Sequence, residues 1–115
     1  MKAVFLDRDG VINENRADHV KSWEEFRFLP GAVESVAQLN RAGYLVFIVT
    51  NQAIINGGRS SHREVAEING RMVHAIENYG GRIAEVLCCP HRPDENCHCR
   101  KPKPGLIYHA AAKFS

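Results

Sequence analysis

Lys2-Ala3-Val4-Phe5-Leu6-Asp7-Arg8-Asp9-Gly10 opens the chain with a short apolar run that stops at a polar, glycine-containing turn. Val and Phe in so short a run, followed directly by carboxylates, mark a buried strand that ends where the backbone must turn. The pattern predicts a first strand over 2–6. Two later stretches repeat the device. An apolar run over 44–49 is followed at once by Thr50-Asn51-Gln52, and another over 83–88 by Cys89-Pro90-His91. Between them lie helical patterns. Pro30-Gly31 opens one with Ala32, Val33, Val36 and Leu39 on a single face, and Gly43 suits the left-handed residue that closes it. Ser61 and Glu64 have capping-box spacing ahead of a stripe of Val65, Ile68, Met72, Ile76 and Tyr79 that finishes at Gly80-Gly81. A further helix starts over 106–114. The stretch 11–28 has no steady period and reads as a long excursion over the top of the domain.

Strand, helix, strand, helix, strand implies parallel pairing, because each helix carries the chain back to start the next strand in the same direction. The expected fold is α/β: a parallel-sheet, Rossmann-like three-layer sandwich. Ligands of such sheets collect at the carboxyl ends of the strands. Asp7, Thr50 and Cys89 all fall there, so three distant segments are expected to face one crevice.

A chain of 115 residues has room for one domain, taken as 1–115. It is 44% hydrophobic and 24% charged with a formal net charge of +2, an ordinary globular balance that names no partner and no oligomeric state. Asp7, Arg8 and Asp9 interrupt the opening run well before the length of a leader or a membrane span, which predicts a cytoplasmic protein without membrane attachment. The basic residues are dispersed and no aromatic stripe accompanies them, which argues against nucleic acid.

Asp7 and Asp9, on either side of Arg8, can both project into one site. One carboxylate can then attack a phosphate ester while the other moves a proton. Two such groups beside a phosphate call for a cation, and magnesium suits oxygen donors. The competing reading is a simple strand-end turn. Thr50 and Asn51 offer hydrogen bonds to phosphate oxygens, although a Thr-Asn pair also serves as turn or cap chemistry. Arg100 and Lys101 can clamp a phosphoryl group or can be a solvated loop. The most specific spacing is Cys89-Pro90-His91 with Cys97-His98-Cys99. In a reducing compartment, Cys89, His91, Cys97 and Cys99 form a Cys₃His set that matches tetrahedral structural zinc. Such a zinc leaves no open position for catalysis and would fix the loop carrying Arg100 and Lys101. Cys88 ends the strand as a small core residue, with replacement of Cys89 as ligand the alternative.

Together, Asp7-Arg8-Asp9-Gly10-Val11, Val49-Thr50-Asn51-Gln52 and the run from Cys89 to Pro102 resemble the haloacid dehalogenase-type phosphatases. The cysteine loop and the stretch 21–31, with Trp23 and Pro30-Gly31, resemble the group that holds D,D-heptose 1,7-bisphosphate and histidinol-phosphate phosphatases. The resemblance implies a haloacid dehalogenase-like (HAD-like) fold with Asp7 as nucleophile, Asp9 as general acid/base, Thr50 as phosphate binder and Lys101 as the phosphate-stabilising lysine. Arg100 would contact substrate, Asn51 would support the phosphate side, and Asp7 with the backbone carbonyl of Asp9 would hold Mg2+. The substrate implied is a small sugar phosphate, D-glycero-D-manno-heptose 1,7-bisphosphate, hydrolysed through an aspartyl phosphate. The alternatives are histidinol phosphate and a zinc-organised anion-binding module without chemistry. One departure from the family pattern stands out: its final acidic motif, after a fourth strand, has no counterpart before Ser115. The 115-residue chain by itself is therefore expected to bind magnesium weakly and turn over little, with the edge of its first strand uncovered.

Overall fold

The computed structural model describes residues 2–51 and 61–89, with Asn51 and Cys89 described in backbone only. The expectations for His91, Cys97, Cys99, Arg100, Lys101 and the helix over 106–114 lie outside the described residues. The elements run β1 (Lys2–Asp7), a 3-10 turn (Trp23–Glu25), α1 (Ala32–Arg41), β2 (Tyr44–Asn51), α2 (His62–Asn78) and β3 (Glu85–Cys89). The strands form one parallel sheet in the order β1-β2-β3. Its register pairs Asp7 with Val49 and Asn51 with Cys89, so β2 and β3 end level while β1 ends opposite Val49, and all three carboxyl ends lie at one edge of the sheet.

The sheet's two faces are filled differently. Val46 and Ile48 of β2 are buried with Val36 of α1, with Ile68, Met72 and Ile76 of α2, and with Ile12, Val20 and Phe26. The alternate residues of β2, Phe47 and Val49, are buried on the opposite face with Leu87, beside Phe5 and Leu45. Phe5 and Phe47 stack there with ring centroids 4.9 Å apart. Each helix thus contributes side chains to the first cluster and none to the second. Topology explains this: a sheet built by moving one strand sideways at each step, always with the same hand, places successive crossovers on one face. The described residues supply two layers of the expected sandwich.

Local signals explain most of the element ends. Ser61 Oγ accepts from the backbone N–H of Glu64 at 3.1 Å and satisfies one of the orphan donors that open α2. At the other end Gly81 lies against the last turn of α2. A Cβ there would stand 2.8 Å from Ile76 Cγ2 and 3.2 Å from Val36 Cγ1, so the contact between the two helices requires glycine.

Several details differ from the sequence reading. β1 reaches Asp7, β2 runs through Thr50 and Asn51, and β3 spans Glu85–Cys89 rather than 83–88. Thr50 and Asn51 therefore lie on a strand and not in the turn beyond it, because β3 extends far enough to pair with both. The expectation that β1 is a buried strand also fails, since no residue of it is fully buried. Among the described residues it pairs on one side only. Tyr79 leaves the α2 stripe: it is the C-cap residue and is 57% exposed. The stretch 11–28 is partly core rather than a loop over the top, because Ile12, Val20 and Phe26 are buried.

Candidate active site

The end of β1 is built by a tight turn. The N–H of Arg8 continues the ladder to the carbonyl of Val49 at 3.3 Å, and the carbonyl of Arg8 then accepts from the N–H groups of Val11, Ile12 and Asn13. Gly10 closes the turn with φ +88°, a left-handed conformation that suits a residue without Cβ, and donates its N–H to the carbonyl of Asn13 at 2.8 Å. The chain then returns: the N–H of Glu14 donates to the carbonyl of Arg27, and that of Leu29 to the carbonyl of Ile12. The segment after β1 is thus tied back at both its beginning and its end.

This turn exposes Asp7 at the strand end and leaves the Asp9 side chain about one quarter exposed, at 26%. Between them Arg8 points inward and is wholly buried, at 0%. Asp9 Oδ1 accepts from Arg8 Nη2 at 2.8 Å, Arg8 Nε at 3.1 Å and Asn13 Nδ2 at 3.0 Å. Arg8 Nη1 donates to Oδ1 of Asn69, on the buried face of α2, at 2.9 Å. The guanidinium also lies over the Phe26 ring, 5.8 Å from its centroid. Thr50, buried at the end of β2, places Oγ1 3.5 Å from Asp9 Oδ2.

Among the expected site residues, the structure therefore joins Asp9 to Thr50 by a hydrogen bond and sets Asp7 opposite Val49, one residue before Thr50. Asn51 and Cys89 pair across β2 and β3 in backbone register. Cys88 is half-buried and pairs with Thr50 in the sheet. Three members of the site, Arg8, Asn13 and Asn69, were not singled out by sequence reasoning. A buried asparagine in the middle of an amphipathic helix was the available signal for Asn69.

Beyond the turn, an ion-pair network holds the segment 16–25. Arg16 forks onto Asp18 at 3.0 and 3.1 Å and reaches Glu25 at 3.3 Å, while Lys21 bridges Asp18 at 2.9 Å and Glu25 at 3.4 Å. The hydrogen bonds from Arg16 and then Lys21 hold the Asp18 carboxyl well below its ordinary range. The backbone N–H of Lys21 holds Glu25 low. Both folded-state values lie below the unfolded ones, so the unfolded chain binds more protons as pH falls through the carboxylate range. The network's support is thus complete above about pH 5 and fades below about pH 4. Trp23, the single tryptophan, stacks on Phe26 at 5.0 Å within this segment. Its fluorescence is expected to stay constant from pH 8 to 5 and to change on further acidification. A transition between pH 5 and 7 would show that other groups hold the segment.

Among the described residues, no group of three or more His, Cys, Asp and Glu could hold a metal, and no helix is long and apolar enough to cross a membrane.

The geometry meets known proteins at this point. A family model described as polynucleotide kinase 3 phosphatase matches residues 2–115. A D-glycero-beta-D-manno-heptose-1,7-bisphosphate 7-phosphatase of Pseudomonas putida is 41% identical over 107 residues, covering 93% of this chain and 61% of the relative. The protein of the same name from Neisseria meningitidis serogroup A is 41% identical over 115 residues, covering 100% of this chain and 62% of the relative. The crystal structure of D,D-heptose 1,7-bisphosphate phosphatase from B. bronchiseptica, complexed with magnesium and phosphate, superposes with a TM-score of 0.93 at 37% identity. That match covers 99% of this chain and 64% of that one. A Mesorhizobium loti structure described as a HAD-like phosphatase gives 0.89 at 32% identity over 98% of this chain and 57% of its own. The fold is thus HAD-like, and the chain spans about three fifths of the length of the relatives it matches. With the family model covering all but the first residue, the chain belongs to the polynucleotide kinase 3 phosphatase family.

Proposed function

We propose that the chain carries the nucleophile-bearing part of a phosphatase that removes the 7-phosphate of D-glycero-D-manno-heptose 1,7-bisphosphate in the cytoplasm. The observation that carries the reading is the Asp9 carboxylate, clamped on one oxygen and reaching Thr50 with the other, next to an exposed Asp7 at the end of β1. The relatives' names supply the substrate. The carboxyl ends of the three parallel strands, gathered at one edge of the sheet, are where such a fold binds its ligand.

In the first step a carboxylate oxygen of Asp7 forms a bond to phosphorus while the ester P–O bond breaks, and the leaving sugar oxygen takes a proton from Asp9. In the second, Asp9 removes a proton from water as its oxygen bonds to phosphorus and the Asp7–phosphorus bond breaks. Free phosphate leaves and both carboxyl groups return to their starting states. Thr50 donates to a phosphate oxygen, Asn51 supports that side, and Lys101 and Arg100 offset the remaining charge and hold the substrate.

The oxygens of Asp7 and Asp9 form a hard donor set that fits Mg2+ and would hold it. When bound, the ion neutralises charge on the phosphoryl oxygens. The thiols of Cys89, Cys97 and Cys99 with the imidazole of His91 form a donor set that fits Zn2+, which would stiffen the loop leading to Arg100 and Lys101.

A polynucleotide substrate, which the family description brings into view, is less well supported. Among the described residues, Arg16 and Lys21 are both engaged by Asp18 and Glu25 rather than presented to a backbone of phosphates.

The test is magnesium-dependent phosphate release from the heptose bisphosphate, histidinol phosphate and a 3′-phosphorylated oligonucleotide. It uses the chain itself and the chain joined to the remaining residues of the Bordetella relative. Release from the heptose bisphosphate at least about tenfold faster than from the others is expected. Faster release from the oligonucleotide would overturn the substrate, and release from none by either form would overturn the enzyme.

A further inference from the structure

We propose that Arg8, held from behind by Asn69, is a positioning residue that dedicates Asp9 Oδ2 to proton transfer. The inference rests on the phosphatase reading and deepens it. Asp9 Oδ1 already accepts three hydrogen bonds, two from Arg8 and one from Asn13. An oxygen so surrounded has no lone pair left for a substrate proton. The proton must therefore travel on Oδ2, the oxygen beside Thr50 Oγ1.

The clamp is built at local expense, which separates it from incidental packing. An ion pair with a wholly buried guanidinium gains little over a pair of apolar side chains of the same volume, since desolvation of the charges offsets their attraction. Asn69 interrupts a helix face otherwise made of Val65, Ile68, Met72 and Ile76. The Asn13 amide gives both of its donors to Asp9 Oδ1 and the carbonyl of Glu14, and its own buried Oδ1 has no partner among the described residues. Turning that amide over would press its oxygen against the Asp9 carboxylate. Three local rules are broken around one carboxylate oxygen, the pattern expected where geometry serves a reaction.

The arrangement is a lever anchored in α2. Asn69 fixes the guanidinium, the guanidinium fixes Oδ1, and Oδ2 follows. Asn69 is the point to test, because its hydrogen bond goes to Arg8 and not to Asp9, and its replacement keeps both residues of the Arg8–Asp9 pair.

Asn69→Leu removes the acceptor, and Asn69→Asp keeps an oxygen in its place. The leaving group supplies a readout that general damage would not imitate. A sugar alkoxide needs a proton as it departs, while p-nitrophenolate leaves without one. The measure is kcat/KM, which reports the steps up to departure of the leaving group and leaves out the hydrolysis of the aspartyl phosphate that both substrates share. Asn69→Leu is expected to lower it by about tenfold to a hundredfold for the heptose bisphosphate and by less than about threefold for p-nitrophenyl phosphate, with Asn69→Asp restoring most of the loss. Equal losses on both substrates, or no loss on either, would overturn the positioning role. If the unaltered protein, in both forms, hydrolyses neither substrate, the phosphatase reading has failed instead. The geometric part of the inference is then decided by crystal structures of the unaltered and Asn69→Leu chains. The Asp9 carboxylate is expected to leave Asn13 Nδ2 and rotate in the variant, and a carboxylate that stays in place removes the inference.

Discussion

Asp7→Asn is expected to lower phosphate release by at least about a thousandfold while leaving the affinity for inorganic phosphate within about threefold. The substitution is nearly isosteric and keeps a carbonyl oxygen at the end of β1, but an amide does not form the phosphoryl bond. Asp7 stands at the exposed end of the strand, so the change places no unpaired polar group in the core. Initial-rate phosphate release and a phosphate titration by calorimetry, run on the same preparations, separate the two effects. Loss of hydrolysis with binding retained supports a nucleophile. Loss of neither puts the nucleophile elsewhere and favours a module that holds anions without reacting with them.

The largest effect on stability is expected at Arg8. Arg8→Met is expected to destabilise the fold by about 3–5 kcal/mol, the scale for removing one partner of a buried ion pair. Methionine fills the volume but leaves the Asp9 carboxylate, the Asn69 amide oxygen and the Phe26 face without the guanidinium they surround. Against a total of about 5–15 kcal/mol for a domain, this is a large fraction. Urea denaturation read by far-UV circular dichroism measures it as a lower midpoint at unchanged slope. Adding Asp9→Asn to Arg8→Met is expected to recover part of the loss, because the uncompensated charge is then gone. A loss below about 1 kcal/mol for Arg8→Met alone would mean that water satisfies Asp9 and that the clamp has little hold on it.

The parts of this molecule that were readable in the sequence share a cause: they depend on residues close together in the chain. The α2 stripe from Val65 to Ile76 and the Ser61 cap follow from periods and spacings and lie where expected, and the apolar runs mark all three strands with their ends shifted by one or two residues. The placing of Asp7 and Thr50 at neighbouring strand ends is likewise as expected. What was hidden depends on distance along the chain. Arg8 looked like a spacer between two carboxylates. Its inward turn is decided by Asn69, far away on α2, and by the backbone hydrogen bonds that Val11, Ile12 and Asn13 make to its carbonyl. The aperiodic stretch after β1 gave no sign that Ile12, Val20 and Phe26 enter the core, because each is set by the path of an irregular chain and not by a repeat. The extra pairing of Thr50 and Asn51 came from the length of β3, which the run over 83–88 did not specify.

The strand order β1-β2-β3 bears on how the molecule assembles during synthesis. Lys2 pairs with Tyr44, and Phe47 with Glu85, so each strand completes its ladder with the strand made just before it. As the chain leaves the ribosome from its N-terminus, β2 meets a finished β1 and α1, and β3 meets a finished β2 and α2. Among the described residues, no strand waits for a partner encoded downstream of its neighbour, and none is inserted between two that have already joined. Parallel sheets form slowly in general because their contacts span long loops. A sheet whose spatial order repeats its sequence order keeps those loops as short as a parallel fold permits, and shortens the time its apolar strands spend exposed to aggregation.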